Sequence, residues 1–335
     1  MCKDSVALKN FVADFSKLPA ELRDGRDTKG LVPIEIGEQF VTMPKPMPCE
    51  FWTLRTASGA GRIAASCSLT ENQRGYIGFF EASDGAVAET LIQLALDWLR
   101  QQNRTEIHAP VNFNTWFSYR FLHPAHLAED QNWFSWEPIH PLSYNAYFKS
   151  HGFRTSALYH TAAYTDLPTM SAVLKKDFLR SQANGYRFRP FDEKNLLAKE
   201  VSILHEISHR SFGDNFLFEP ISLPLFQQLY VPMAQKKPVL CSFFACDSEH
   251  LEVGFFFGFI DQDHLILKST AVTPEHRGQG LSNALVHLML EFAIARGLTK
   301  AVSALVKSGL RSESYSKHAQ PLWRREYELL SYSEL

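Results

Sequence analysis

The stretch STAVTPEHRGQGLSNALVHLMLEF, residues Ser269–Phe292, decides how the second half of the chain folds. A β-branched apolar run ends at Thr273, a turn follows, and an apolar helix begins after Gly280. A structural turn needs one glycine, whereas this turn has Gly278 and Gly280 beside the cation Arg277. The stretch therefore predicts a strand, a turn and a helix, with a negative group bound where the helix begins.

The physical basis for this prediction is the chemistry of helix N-termini. Their first amide hydrogens lack intrahelical partners and carry a partial positive charge, and glycine lets the backbone approach an anion closely. Leu281 argues against a P-loop, which needs Lys followed by Ser or Thr after its last glycine. A dinucleotide-binding fingerprint needs a third glycine. With these two excluded, the remaining interpretation is an anion-binding turn of another kind, an anion cradle, at the start of the helix.

The same order of elements occurs in both halves of the chain, which indicates a duplication. The second half predicts strands over 238–247, 251–261 and 264–273, a helix over 281–297 and a strand over 300–306. The first half predicts strands over 49–57, 61–70 and 74–82, a helix over 86–103 and a strand over 105–111. Near the C-terminus one strand is evident where two are expected, so the last strand is missing or swapped.

Composition limits the class of protein. The 335 residues are 45% apolar and 21% charged with a net charge of −2, which is typical of soluble globular chains and gives no basic face for nucleic acid. We expect no membrane span and no signal peptide, hence a cytoplasmic protein. We interpret the cysteines as free thiols without metal spacing: Cys2, Cys49, Cys67, Cys241 and Cys246.

The segment VTPEHRGQGLS resembles the signature of the GCN5-related N-acetyltransferase (GNAT) superfamily, which is Arg or Gln, two residues, Gly, one residue, then Gly or Ala. Arg277, Gly280 and Ser282 occupy the three signature positions, and Ser282 departs mildly from the pattern. The resemblance implies an α/β (α+β) fold of two tandem GNAT-like domains, each a mixed, mostly antiparallel sheet flanked by helices. The expected ranges are 1–165 for the first domain, 166–185 for a connecting segment and 186–335 for the second.

The resemblance also implies a cofactor site. In the family the turn binds the pyrophosphate of acyl-CoA, and the pantetheine arm runs beside the preceding strand. We therefore expect acetyl-CoA or another acyl-CoA to bind at Ala271, Val272, Arg277, Gly278, Gln279, Gly280, Leu281 and Ser282. Since the turn lies at the surface end of a helix, we expect Gly280→Glu to weaken CoA binding by at least ~2 kcal/mol without harming the fold.

Candidates for acid–base chemistry are fewer. The family often has Asn at the end of the next strand and, seven residues later, a Tyr that protonates the departing thiolate. Here Ser308 replaces the Asn and Tyr315 stands at the Tyr position, where it either acts as the acid or packs in the cleft. His205 and His209 share a helix face and belong either to the cleft or to a satisfied surface. Ser269 is a similar weak candidate, and we expect no metal.

The first half lacks the cradle. At the matching position it has Gly85, no arginine, and Asp84, whose carboxylate would repel a pyrophosphate. An aromatic-rich segment follows, whose rings either pack between domains or wall the acceptor pocket: Trp116, Phe117, Trp133, Phe134 and Trp136. The first domain is therefore predicted to keep the fold and to have lost the cofactor site.

Three functions fit the sequence. The first is an acyl-CoA-dependent N-acyltransferase with a single site in the second domain and a small amine or amino-acid-like acceptor. The others are a non-catalytic acyl-CoA-binding or sensing protein and a tandem aminoacyl transferase, against which the neutral charge counts. We expect no nucleic acid and no membrane as partners, and the sequence leaves the acceptor, the acyl chain length and the oligomeric state open.

Overall fold

The computed structural model describes residues 5–23, 45–124, 133–236, 240–309 and 319–333, with backbone alone for 5–10 and 233–236. Two compact units emerge. Among the described residues, the first unit comprises 5–23, 45–124, 135–158 and 326–333. The second comprises 133–134, 159–236, 240–309 and 319–325.

The first unit is a sheet with helices on it. Its elements are α1 (Ser5–Leu22), β1 (Cys49–Arg55), β2 (Ala60–Cys67), β3 (Arg74–Ala82), α2 (Gly85–Gln101), β4 (Glu106–Ala109), β5 (Phe121–Leu122) and α3 (Ser143–Ser150). β1, β2 and β3 pair antiparallel in that order, and β4 pairs parallel to β3. The predicted apolar stripe of α2 is largely buried, with Leu91, Ala95 and Leu99 in the core. The predicted β-β-β-α-β order of the first half is therefore confirmed.

A strand that crosses the unit boundary, β6 (Arg154–Tyr164), leads into the second unit. The elements that follow are α4 (Leu167–Ala183), β7 (Arg187–Pro190), α5 (Val201–Phe212), α6 (Leu223–Lys236), β8 (Phe243–Cys246), β9 (Glu252–Asp261), β10 (His264–Val272), α7 (Leu281–Ile294), β11 (Lys300–Lys307) and β12 (Trp323–Ser333). Before α5, residues Leu196–Glu200 form one π-helical turn.

The second unit repeats the arrangement of the first. β7, β8, β9 and β10 pair antiparallel in that order, and β11 pairs parallel to β10 after the crossover through α7. Helix α7 is apolar on most of its surface because it packs on the sheet and on α4 at once, and Leu281, Leu285 and Met289 are fully or almost fully buried. The predicted repeat is confirmed here as well, and the fold is of the predicted α/β class.

Two strands pair in a unit other than the one that their position in the sequence suggests. Residues 159–164 of β6 pair antiparallel with β11 in the second unit. Residues 326–333 of β12 lie in the first unit, where β12 pairs antiparallel with β4 and with β5. The single C-terminal strand is thus a swapped one, and each unit is discontinuous in sequence.

A buried carboxylate fastens β12 into the first unit. Glu328 is fully buried, and it accepts hydrogen bonds from Asn145 Nδ2, Thr155 Oγ1 and Lys149 Nζ, the last at 2.8 Å. Burial alone would raise the pKa of Glu328, but the hydrogen bonds from Lys149, Thr155 and Asn145 outweigh it and lower the pKa. The ionised form is therefore the one that stabilises this strand.

Glu328→Gln is expected to lower the free energy of unfolding by about 1–3 kcal/mol, the usual worth of hydrogen bonds to a charged group. Since the pKa of Glu328 in the folded protein is below the ordinary glutamate pKa of 4.5, this contribution is present above pH 4.5 and is lost as pH falls through the folded pKa. Urea unfolding at neutral and acidic pH measures it. Glu89→Gln, which changes an exposed helical residue, is the control, and an equal loss in both variants would contradict the role of Glu328.

Candidate functional site

The sheet of the second unit opens between β10 and β11. The two strands pair in parallel over His264–Leu267 and Lys300–Ser303. Beyond this point both shift register against their outer neighbours, β10 against β9 and β11 against β6. In β11 the shift places Leu305 at a left-handed φ of 55°, with its N–H donating to Thr161 Oγ1 at 3.1 Å. Such bulges bend strands, and past them no pairing joins β10 to β11 among the described residues; we call the opening between their far halves the cleft.

The far half of β10 presents backbone groups on its open edge. Thr273 N–H donates to Val253 O of β9 at 2.9 Å. Because residues of an antiparallel pair alternately face the partner and face away, Thr270 and Val272 direct their N–H and C=O away from β9. Among the described strands, none pairs with these two residues on that side. The edge can therefore bind an extended, amide-containing chain.

The turn after β10 uses its two glycines for different reasons. Gly278 and Gly280 both have left-handed φ, 82° and 80°. A Cβ on Gly278 would meet nothing within 4 Å, so the backbone there is open. A Cβ on Gly280 would lie 2.6 Å from Arg180 Nη2 and 3.2 Å from Asp177 of α4. A side chain at Gly280 would therefore have to keep a left-handed φ and crowd Asp177, so Gly280→Glu is expected to strain the turn, and the expectation that the fold survives stays a prediction.

Helix α7 begins with unused amides. Its N-cap is Gly280, which has no side chain to accept a hydrogen bond from the first turn. Among the described residues, no acceptor lies within hydrogen-bonding distance of the backbone N–H groups from Gly278 to Asn283. These donors and the helix dipole together favour an anion at this position.

Helix α4 holds the turn in place. Asp177 Oδ2 accepts from Asn283 Nδ2 at 2.6 Å, and Ser181 Oγ donates to the backbone oxygen of Gln279 at 2.9 Å. Asn184 Nδ2 donates to the side-chain oxygen of Gln279 at 3.2 Å. The segment 166–185, expected as a connection, thus supplies three side chains that fix the cradle, Asp177, Ser181 and Asn184.

Arg277 is exposed at the mouth of the cleft. Its Nη2 donates to the backbone oxygen of Ser211, at the end of α5, at 2.9 Å. This bond ties the turn to α5 and keeps a fixed positive charge beside the open amides. Of the expected cofactor residues, Ala271 is buried in β10, and the others from Arg277 to Ser282 form this turn and the start of α7.

The family model of the acetyltransferase (GNAT) family matches residues 202–323. This segment is a GNAT domain. The match includes the open edge of β10, the glycine turn and α7, so the resemblance inferred from the sequence is confirmed. No curated protein sequence is significantly similar to the chain.

Solved structures share the fold over most of the chain. A tandem GNAT protein from the clavulanic acid biosynthesis pathway aligns with a TM-score of 0.51 at 14% identity, covering 97% of this chain and 95% of that one. A conserved protein of unknown function from Enterococcus faecalis aligns with a TM-score of 0.58 at 9% identity, covering 96% and 70%.

A third structure is the GCN5-related glucosamine N-acetyltransferase region of a fungal multi-domain GH3 beta-N-acetylglucosaminidase, with a TM-score of 0.52 at 16% identity. The alignment covers 81% of this chain and 31% of that one, so this chain spans about a third of the fungal protein. At these identities the likeness shows the fold alone.

The first unit has its own carboxylate where the GNAT domain has open amides. Asp84 is the N-cap of α2, and its Oδ1 accepts from Ala86 N–H and Val87 N–H, each at 3.0 Å. The hydrogen bonds from Val87 and Ser83 lower the pKa of Asp84, so it stays ionised. The prediction that Asp84 disfavours a pyrophosphate stays a prediction, and the structure adds that Asp84 occupies the donors a phosphate would need.

Tyr315 lies outside the described residues, so its role stays a prediction. Ser308, at the end of β11, is described, and its hydroxyl lies 3.4 Å from His160 Nδ1 of β6. Both residues border the far half of β11 in the GNAT domain. The strand that precedes Tyr315 therefore ends at the cleft.

His205 and His209 have structural hydrogen bonds. His205 Nε2 donates to Ile221 O at 2.8 Å, while His209 Nε2 accepts from Ile221 N–H at 3.1 Å. His209 Nδ1 donates to His205 O at 2.9 Å, and the two rings lie 4.0 Å apart. They fasten the loop that connects α5 to α6, which favours the satisfied-surface interpretation over a cleft role.

Sequence reasoning missed Tyr230 of α6. It forms a hydrogen bond with Ser269 of β10, and its ring stacks on Phe226 at 4.2 Å between centroids. Burial raises the pKa of Tyr230 to about 12, although the bond with Ser269 opposes this. No sequence signal linked this hydroxyl to the strand beside the cleft.

The aromatic-rich segment contains both core and surface rings. Phe117 and Phe134 are buried, and Phe117 packs on Phe113 with centroids 6.0 Å apart in the first unit. Trp133 stacks on the guanidinium of Arg325 at 4.2 Å in the second unit. Packing explains these contacts, and the acceptor-wall interpretation stays a prediction.

Metal clusters and membrane spans are absent from the part of the chain that the structure describes. There, no group of three His, Cys, Asp or Glu side chains could hold a metal ion, and no helix is long and apolar enough to span a membrane. Cys49, Cys67, Cys241 and Cys246 are free thiols. Burial raises the pKa of Cys241 well above its usual value, so this thiol is unreactive.

Proposed function

We propose that the protein is an acyl-CoA-dependent N-acyltransferase whose single active site lies in the second unit. The observation that carries the proposal is the continuity of two features, the open backbone edge at Thr270 and Val272 and the unused amides from Gly278 to Asn283. The first fits the amide-bearing pantetheine arm, and the second fits the pyrophosphate.

The residues present fit acetyl-CoA or another acyl-CoA as co-substrate. The amides at the start of α7 would bind the pyrophosphate, with Arg277 adding a positive charge beside them. The backbone of Thr270 and Val272 would bind the arm, and this pair replaces the expected Ala271, whose groups face β9. Acyl-CoA would supply the thioester whose carbonyl carbon is transferred.

The chemistry asked of the chain is modest. The nitrogen of a small amine or amino-acid-like acceptor would form a bond to the thioester carbonyl carbon as the carbon–sulfur bond breaks. Tyr315 would give its phenolic proton to the departing thiolate, because a pKa near ~10 keeps it protonated at neutral pH. The amine would lose its proton to solvent, and a backbone amide of β10 would stabilise the developing oxyanion.

On this proposal the two expected domains differ in cofactor binding. The range 186–335 would hold the cofactor site, helped by side chains of 166–185. The range 1–165 would keep the fold without a CoA-binding turn, because Asp84 already satisfies the first amides of α2.

Calorimetric titration with CoA tests the single site and is expected to give a stoichiometry near one per chain. Desulfo-CoA, which keeps the pyrophosphate but lacks the thiol, is the matched ligand and should give the same stoichiometry. Two equivalent sites per chain would contradict the asymmetry between the two helix N-termini.

Activity needs a separate assay. Incubation with acetyl-CoA and a panel of amines, amino acids and amino sugars should release free thiol with at least one acceptor. If CoA binds with a stoichiometry of one and no acceptor yields thiol, the non-catalytic acyl-CoA-binding function replaces the transferase.

A further inference from the structure

The first unit contains a cavity that the proposed function does not use. Its volume is about 50 Å³. Since about 10–15 Å³ holds one water, it accommodates about four water-sized groups, the size of a short carboxylic acid. We name it the arginine cavity after three of its lining residues, Arg23, Arg62 and Arg120.

The cavity lies where the first sheet opens. β3 and β4 pair in parallel over Arg74–Tyr76 and Glu106–His108 and then part, as β10 and β11 do in the second unit. Past that point, two lining residues have left-handed backbones that are rare for side chains of their size, Phe79 at φ 53° and Arg120 at φ 77°. Strained residues of this kind cluster at ligand sites.

The guanidinium groups of the cavity are fixed in position. Arg62 is fully buried, donates to the backbone oxygen of Phe15 at 2.8 Å and lies 4.7 Å from the centre of that ring. Arg120 is 4% exposed, and its guanidinium stacks 3.6 Å from the Tyr119 ring centre. Groups held in this way bind an anion with little loss of conformational entropy.

Among the described residues that line the cavity, Glu81 is the one carboxylate, and it is engaged elsewhere. Glu81 is paired with Arg23 through both of its oxygens and also accepts from Tyr144 Oη at 2.9 Å. Arg23 in turn donates to the backbone oxygen of Ile139 at 2.7 Å. An anion that enters would therefore lie among three guanidiniums and one carboxylate, so the local potential is positive.

Neutral polar groups complete the wall. Asn112 Oδ1 accepts from Phe79 N–H at 2.6 Å, which fixes the amide and the strained backbone together. His140 Nε2 lies 3.3 Å from both Leu122 N and Arg120 O, and among the described residues its buried Nδ1 has no hydrogen-bond partner. Burial and the nearby Arg23 lower the pKa of His140 to about 4, so the ring is neutral at pH 7. When Leu122 donates to Nε2, Nδ1 carries a proton that it can donate.

From these observations we propose that the arginine cavity binds a small monocarboxylate, or the carboxylate end of a larger acid, with the oxygens accepting from Arg62, Arg120 and His140. The apolar part would contact Phe79 and Phe121. The first unit would then be a ligand-binding unit instead of a purely structural copy.

Titration calorimetry and thermal melting with acetate, propionate and pyruvate test this, with acetamide as the uncharged match of acetate. At least one acid is expected to bind and to raise the melting temperature, while acetamide has no effect. If none of the three acids binds at tens of millimolar, or if acetamide binds as well as acetate, the proposal fails.

Variants locate the binding. Arg120→Gln is expected to weaken it at least about tenfold, the effect of losing one charge-assisted hydrogen bond, whereas Arg154→Gln, at an exposed arginine of the same unit, keeps it. Ser282→Asp, which blocks the anion cradle of the second unit, should also keep it. Loss in Ser282→Asp with retention in Arg120→Gln would place the acid in the second unit and overturn the proposal. If Arg120→Gln does not fold, His140→Phe, which removes another proposed donor to the carboxylate, replaces it with the same expected direction.

Discussion

Tyr315→Phe is expected to lower the rate of acyl transfer by about 10²- to 10⁴-fold, the usual contribution of a positioned general acid. The change keeps the ring and removes the proton donor, so the thiolate would leave without its proton. CoA affinity should change by less than about twofold, because the change leaves the proposed pyrophosphate cradle from Gly278 to Asn283 chemically intact. Turnover lost with binding kept marks an interaction made in the transition state.

The measurement is stopped-time thiol release on the purified variant, beside a CoA titration of the same preparation. Tyr147→Phe removes a phenolic hydroxyl from α3 of the first unit and is the matched control, which should behave as the parent. Tyr230→Phe is the informative comparison, since this hydroxyl bonds to Ser269 in the cleft strand. Parent-like turnover in Tyr315→Phe with loss in Tyr230→Phe would transfer the acid role to Tyr230.

The local parts of the fold were predictable because each carries its own signal. The strand over 264–273 and the helix from Leu281 occur where periodicity and the glycines put them. The duplication followed from equal spacing of such segments in both halves. These signals need no knowledge of what packs against them.

Strand partners were not predictable in the same way. The C-terminal segment that became β12 was evident as a strand, yet an alternating or β-branched pattern does not say which sheet a strand joins. The deciding contacts are distant in sequence, such as Tyr332 opposite Ile107 and Ala163 opposite Val302. The swapped C-terminal strand was therefore one of two options until its pairing was known.

In the candidate site, too, the local features were predictable from the sequence and the contacts between distant segments were not. The glycine turn and its anion-binding amides are local, and the sequence located them. The packing of Gly280 against Asp177 and Arg180 depends on α4, about one hundred residues earlier in the chain. The bond between Tyr230 and Ser269 likewise depends on a separate helix, α6. This distant packing changes which substitution tests the cradle.

Ser282→Asp is expected to weaken CoA binding by at least about thirtyfold, or ~2 kcal/mol, because it puts a negative charge among the amides that would bind the pyrophosphate. Ser282 is the second residue of α7 and is partly exposed, so the new side chain meets no packed neighbour of the kind that faces Gly280. An acidic residue in the first turn favours a helix. The melting temperature should therefore stay equal or rise.

Ser282→Asn is the control, because it has nearly the same shape as Asp and no charge. It is expected to bind CoA several times more tightly than Ser282→Asp, and the gap between the two should narrow as salt screens the repulsion. Equal affinities for Asp, Asn and the parent would mean that no phosphate lies at the start of α7. Equal losses in Asp and Asn would instead identify a steric requirement, and the anion cradle would lose its electrostatic basis while the glycine turn kept its structural one.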